Sequence, residues 1–140
     1  MQKKKQKSLP KLKKELWNLF AEYIKLEYSE DGEYVRCYTC DKLLKIGTPN
    51  CHAGHYLNKS TYSGLYFNEN NVRPQCGMPC NGPRHGSPIE FREHLLREIG
   101  QKAVEELESR RHEPLTWKRP DYMERIEYYR IKIKELKAQF

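Results

Sequence analysis

No long apolar run occurs anywhere in the 140 residues, which excludes a helix that crosses a membrane. The Lys-rich N-terminus lacks the apolar stretch of a secretory signal, so an intracellular, reducing setting is expected. Apolar residues are also scarce, at 37% against 32% charged. So polar a chain buries only a modest core, which favours an added staple. Acid is missing from the first fourteen residues, which carry Lys3, Lys4, Lys5, Lys7, Lys11, Lys13 and Lys14. Elsewhere basic residues balance the 19 acidic ones, so the whole surplus of +7 sits in that arm. Such an arm either neutralises phosphates or merely solubilises the chain.

What is present divides the chain. Residues 1–9 read as a basic, disordered arm. Residues 10–28 read as an N-terminal helix, with Ser8-Leu9-Pro10 as its entry and Leu12, Leu16, Leu19, Phe20, Tyr23 and Ile24 at helical spacing. Trp17 belongs by default to the packing stripe of that helix. Residues 33–100 differ in character, since all five cysteines fall there. Tyr34–Arg36, His55–Leu57 and Leu65–Phe67 are expected as strands. A helix is expected from Pro88, capped by Ser87 and stopped by Gly100. Residues 101–140 are C-terminal helices, the last starting at Pro120-Asp121 and carrying Tyr122, Ile126, Tyr129, Ile133 and Leu136. In that helix the tyrosines are expected to pack inward and the lysines to face water.

The cysteines form two close pairs, Cys37-x2-Cys40 and Cys76-x3-Cys80, with Cys51 left over. An odd number in a reducing setting argues against disulfides. Two short turns that each offer two thiolates match the needs of a tetrahedral structural zinc. Between and after the pairs stand His52, His55, Asn71, Asn81 and His85. A neutral imidazole can take a proton from water, and an Asn can hold it by bonding to loop backbone. A divalent ion beside them would neutralise phosphate charge, so the constellation suits phosphodiester cleavage.

The order His55 and Asn71 between two cysteine pairs, with Asn81 directly after the second, resembles the HNH (His-Me finger) nucleases. More closely, Cys37-Tyr38-Thr39-Cys40, Ala53-Gly54-His55-Tyr56, Phe67-Asn68-Glu69-Asn70-Asn71-Val72, Gln75-Cys76, Cys80-Asn81 and the stretch Ile99–Glu108 resemble the NinG/Rap recombination endonucleases of lambdoid phages. The resemblance implies an α+β fold in which a small zinc-bound ββα-metal core over residues 33–100 is flanked by N- and C-terminal helices. It also implies a phage- or prophage-encoded DNA endonuclease of the bacterial cytoplasm, acting on branched DNA such as D-loops and four-way junctions. His55 would be the general base, Asn71 would position it, and Asn81 would hold a catalytic magnesium or manganese.

Three departures from the family pattern bear on that shell. His52 stands where the family usually has Asp, Gly54 stands where HNH enzymes place an acid, and the second cysteine pair is one residue longer. The expected catalytic ligands are therefore Asn81 with His52 or His85, a set that favours manganese or nickel over magnesium. Glu69 matches an acidic place of the family or is a solvated loop charge. Candidate DNA contacts are Lys3, Lys4, Lys5, Lys7, Arg36, Lys59, Arg73 and Arg84. Expected partners are DNA, recombination proteins of phage or host, and a second copy of the chain. Three alternatives remain at this point: a non-catalytic zinc-bound nucleic-acid module, a zinc-stabilised adaptor for proteins, and an HNH nuclease of linear duplex.

Overall fold

The computed structural model describes residues 6–140. Its first element, α1 (Leu9–Glu27), begins where expected: Ser8 caps it through a bond from the Lys11 N–H, and Pro10 stands in the first turn. Leu12, Leu16, Phe20 and Ile24 recur on one side and are buried. The last element, α4 (Arg119–Lys137), buries Tyr122, Ile126, Tyr129 and Ile133 at the same kind of spacing. These two stripes face each other and form the main core together with Ala53, Phe67 and Val72. Tyr129 lies edge-on to Phe20 with ring centroids 5.3 Å apart. Its neighbour Tyr128 stays exposed.

Two antiparallel hairpins lie between the helices. The first pairs β1 (Tyr34–Arg36) with β2 (Leu43–Lys45). The second pairs β3 (Cys51–His55) with β4 (Val72–Cys76), setting Cys51 opposite Cys76 and His55 opposite Val72. Every residue of β4 is buried, which explains why no alternation marks it in the sequence. The strands expected at His55–Leu57 and Leu65–Phe67 do not form. His55 instead ends β3, and Ser63–Leu65 makes a single tight turn inside the long connection. The aromatic residues of that connection were a misleading strand signal, because Phe67 is buried against α1 and Trp117 rather than in a ladder.

A wide turn over Gly77–Asn81 follows β4. Then come α2 (Pro88–Ile99) and α3 (Gln101–Ser109), separated by Gly100 at φ +86°. Ser87 precedes α2 but does not cap it through its side chain. Its backbone is left-handed, its carbonyl accepts from the Phe91 N–H, and its buried hydroxyl has no protein partner. Phe91, Leu95 and Val104 form a separate small cluster between α2 and α3. Among the described residues no helix is long and apolar enough to cross a membrane.

Candidate functional site

The four paired cysteines converge. Cys37 and Cys40 stand in the turn between β1 and β2, Cys76 ends β4, and Cys80 lies in the wide turn after it. Their sulfurs all lie within 4.8 Å of one another. Sulfurs bound about 2.3 Å from one zinc stand roughly 3.8 Å apart at tetrahedral corners. The Cys40 and Cys76 sulfurs are 3.7 Å apart. Burial pushes the Cys76 thiol up to about 12. Burial also works against ionising Cys37, but the Thr39 hydroxyl and the backbone N–H groups of Cys76, Thr39 and Cys40 more than offset it and draw that thiol down to about 6. Four thiols so close ionise together only around a cation, and the donor set suits zinc. Cys51 lies outside the four, buried at the start of β3 with its thiol pushed up by burial.

His55 stands at the other end of the same hairpin. Its Nε2 is 2.9 Å from the Tyr66 carbonyl oxygen. A carbonyl only accepts, so Nε2 carries the proton and Nδ1 keeps its lone pair. The ring is stacked on Trp17 of α1, with centroids 5.1 Å apart at 20°, and Tyr66 meets it edge-on. Burial holds the imidazole down at about 4, helped by the Lys59 charge and opposed by the Tyr66 carbonyl. The side chain is therefore neutral at neutral pH.

Asn71 is fully buried beneath this loop. Its amide oxygen accepts from the Leu57 N–H at 2.7 Å, and its NH2 donates to the carbonyls of Leu57 (3.0 Å) and Leu65 (3.2 Å). It ties together the two ends of the connection that supplies both His55 and the Tyr66 carbonyl. Asn81 closes the wide turn seven residues before the start of α2 and does not cap that helix. Its amide N–H donates to His52 Nδ1 at 3.0 Å.

His55, Asn81 and His85 line one cleft of about 220 Å³, with Tyr56, Asn58 and Lys59. His52 and Asn81 line a second, adjoining cleft. Lys59 belongs to both, and its ammonium lies 5.5 Å from the Trp17 ring centroid. Other expected contacts are elsewhere. Arg73 is a correction: it is 2% exposed, pairs with Glu98 at 3.1 Å, and donates to the carbonyls of Glu69 and Val72. An Arg buried and paired in this way is core structure rather than a surface contact for DNA. Lys7 pairs with Glu15 at 2.8 Å. Arg36 lies against Asp41, beside Glu30 and Asp31. Arg84 is exposed in the loop between Asn81 and His85. Lys3, Lys4 and Lys5 lie outside the described residues. Glu69 accepts from the Tyr129 hydroxyl at 3.1 Å, so it is an anchored charge.

Two acids that the cysteine and histidine pattern does not signal hold the site's surroundings. Glu98 of α2 accepts from the hydroxyls of Tyr28 (2.6 Å) and Tyr38 (2.7 Å) and from Arg73, linking α1, the first hairpin and β4. Glu108 of α3 accepts from Tyr56, the neighbour of His55, and from Arg92. Trp17, which stacks on His55, carries no such signal either: in the sequence it reads as one more apolar residue of α1 beside Leu16 and Phe20.

A model of the family described as Bacteriophage Lambda NinG protein matches residues 1–139. The chain belongs to the NinG family. Its curated relatives include Protein ninG of Escherichia phage lambda, 37% identical over 73 residues, which cover 52% of this chain and 34% of the relative. Protein ninG of Salmonella phage P22 is 31% identical over 101 residues, 72% of this chain and 47% of the relative. That of Enterobacteria phage H19B is 40% identical over 57 residues, 41% and 28% of the two chains. The matched regions thus span 28–47% of the length of these NinG relatives. No solved structure matches significantly.

Proposed function

We propose that this NinG-family chain is a metal-dependent DNA endonuclease with an HNH-like core, and that His55 is its general base. The observation that carries the reading is the His55 bond to the Tyr66 carbonyl, which leaves Nδ1 unprotonated on a ring that lines a polar cleft. Such a nitrogen can take a proton from water attacking phosphorus, a contribution of roughly 10²- to 10⁴-fold. Asn71 acts as a positioning residue, because it fixes the loop ends on which the imidazole and its carbonyl partner depend. Departure of the 3′ oxygen leaves a 5′-phosphate.

His52, Asn81 and His85 are the residues to hold the catalytic ion. They are imidazole and amide donors with no carboxylate among them, a set better matched to manganese or nickel than to magnesium. When bound, the ion supplies positive charge to the phosphate and the leaving oxygen. Equal cutting with magnesium and manganese, together with normal cutting by His52→Ala, would remove His52 from the shell. The family resemblance supplies the substrate class: branched DNA of phage recombination, four-way junctions and D-loops. Resolving a junction takes two cuts, so a homodimer on DNA is expected. Exposed Met123 and Ile131 of α4 offer it an apolar contact, and a monomer mass on junction DNA would count against it.

The deciding experiment is cleavage of a labelled four-way junction beside a matched linear duplex, with magnesium or manganese added back to metal-free protein buffer. Wild type should cut the junction and His55→Ala should bind without cutting. Equal cutting of the duplex would point to a linear-duplex HNH nuclease. The lack of a carboxylate in the cleft favours one rival, a non-catalytic zinc-bound nucleic-acid module. Binding with no cutting under either ion would establish that rival.

A further inference from the structure

Lys13, Trp17, Ala21 and Lys25 recur every four residues along α1, which aligns them on one side of the helix. Trp17, Ala21 and Lys25, with Asn18, form one wall of a cleft of about 320 Å³. Cys51, His52 and Ala53 of β3 form the other wall, and Lys59 and Asn81 close it. This cleft and the one that holds His55 share Ala53, Lys59 and Asn81, so the two adjoin at those residues. Lys25 and Lys59 are the charged residues lining the pair, and no carboxylate lines either. Three other clefts on the molecule each carry acids: Glu15 and Glu127 in one, Glu30 and Asp31 in another, Glu27, Glu69 and Glu98 in a third. Lys25 is half-buried rather than splayed into solvent, and its charge is felt at Cys51. Lys13 extends the basic line, with its ammonium 4.5 Å from the Tyr66 ring centroid.

We propose that the cleft between α1 and β3 is a phosphate subsite for a nucleic-acid strand, adjoining the phosphate handled at His55, with Lys25 as its charge and Asn18 as its hydrogen-bond donor. The assignment rests on reading the His55 cleft as the seat of a phosphodiester. It gives α1, which lies outside the zinc-bound core, a direct part in holding substrate. A cationic, carboxylate-free groove that adjoins the cleft of the proposed base can take a second phosphate of the same strand.

The test is fluorescence anisotropy of the zinc-loaded full chain with a fluorescein-labelled four-way junction, without added divalent ion, from 50 to 200 mM potassium chloride. Lys25→Gln should weaken binding about three- to tenfold at low salt and make the slope of log affinity against log salt shallower by about 0.9, one phosphate contact. Lys25→Arg should keep the wild-type slope. Lys102→Gln removes the same charge from an exposed place on α3 and should leave the slope unchanged. An unchanged slope in Lys25→Gln, or an equal change in Lys102→Gln, overturns the subsite. The junction cleavage assay separates the two readings. Cutting by wild type with no slope change in Lys25→Gln sinks the subsite and leaves the nuclease standing. A slope change with no cutting under magnesium or manganese upholds the subsite and sinks the nuclease.

Discussion

For His55 as the proposed base, desolvation and proton transfer pull against each other. Burial against Trp17 favours the neutral ring, which keeps the lone pair available but weakens it as a base. Because the imidazole is held down at about 4, the acid limb of a single-turnover pH–rate profile should fall near pH 4 to 5, not near the ordinary histidine value of about 6.5. Replacing Trp17 with Ala should admit water and move that limb upward. An acid limb that stays put in the variant would show that Trp17 does not set the ring's environment. Gly54 is constrained differently. A Cβ there would lie 2.0 Å from the Gln75 side-chain oxygen, and Gln75 is itself buried, donating to Thr39 and to the Gly86 carbonyl. The space that an acid beside His55 would need is therefore filled. Gly54→Asp should lower stability in urea by on the order of 2 kcal/mol through overpacking, and its cost should be less than additive with that of Gln75→Ala. Additive costs would place the strain elsewhere.

The β3–β4 hairpin and its long connection are the element on which the site depends. Asn71→Ala would leave the Leu57 N–H and the Leu57 and Leu65 carbonyls without their side-chain partner. Lost bonds of this kind cost about 1–3 kcal/mol each where the groups stay dry. Urea unfolding should therefore show a loss of several kcal/mol, and hydrogen exchange should speed first at Leu57. Faster exchange spread evenly over the chain would instead mean a general loosening. The helices and the cysteine frame were legible in the sequence because each carries its own local signal: Pro10, Pro88 and Pro120 near helix starts, stripes at helical spacing, and thiols in close pairs. β2 and β4 were not. β2 is three residues long, and β4 is buried on both faces, with Pro74 inside it where a strand reading would break. His55, Asn71 and Asn81 stood out as candidates by their chemistry and their order around the cysteine pairs, but Trp17 looked like any other core aromatic, because a helix pattern does not say which neighbour arrives from 38 positions away. Arg73 looked like a surface charge, because its partners Glu98, Tyr28 and Tyr38 come from three separate elements.

At the scale of the molecule, the four-sulfur cluster does for the small hairpins what a larger core would otherwise do. Val35 and Leu44 are the buried aliphatic residues of the first hairpin, too few to hold it alone. One zinc per chain is expected by mass spectrometry under native conditions. Cys80→Ser should lose it and unfold the hairpins, and Cys51→Ser should keep it. A structural zinc contributes on the order of 10 kcal/mol, so a strong chelator should abolish the folded state of this region. Retention of zinc in Cys80→Ser together with its loss in Cys51→Ser would exchange the ligands.

The pairing of α1 with α4 carries a consequence for how the molecule assembles. The β3–β4 hairpin is joined through one connection, whereas Phe20 of α1 meets Tyr129 of α4 from nearly the opposite end of the sequence. Contacts between distant positions form late, since a long loop must be closed before they contribute. The hairpin can therefore pair before α1 closes on α4. Tyr129→Ala, which removes that late contact, should speed unfolding and leave the folding rate nearly unchanged in stopped-flow fluorescence, and a matching fall in the folding rate would place the contact early.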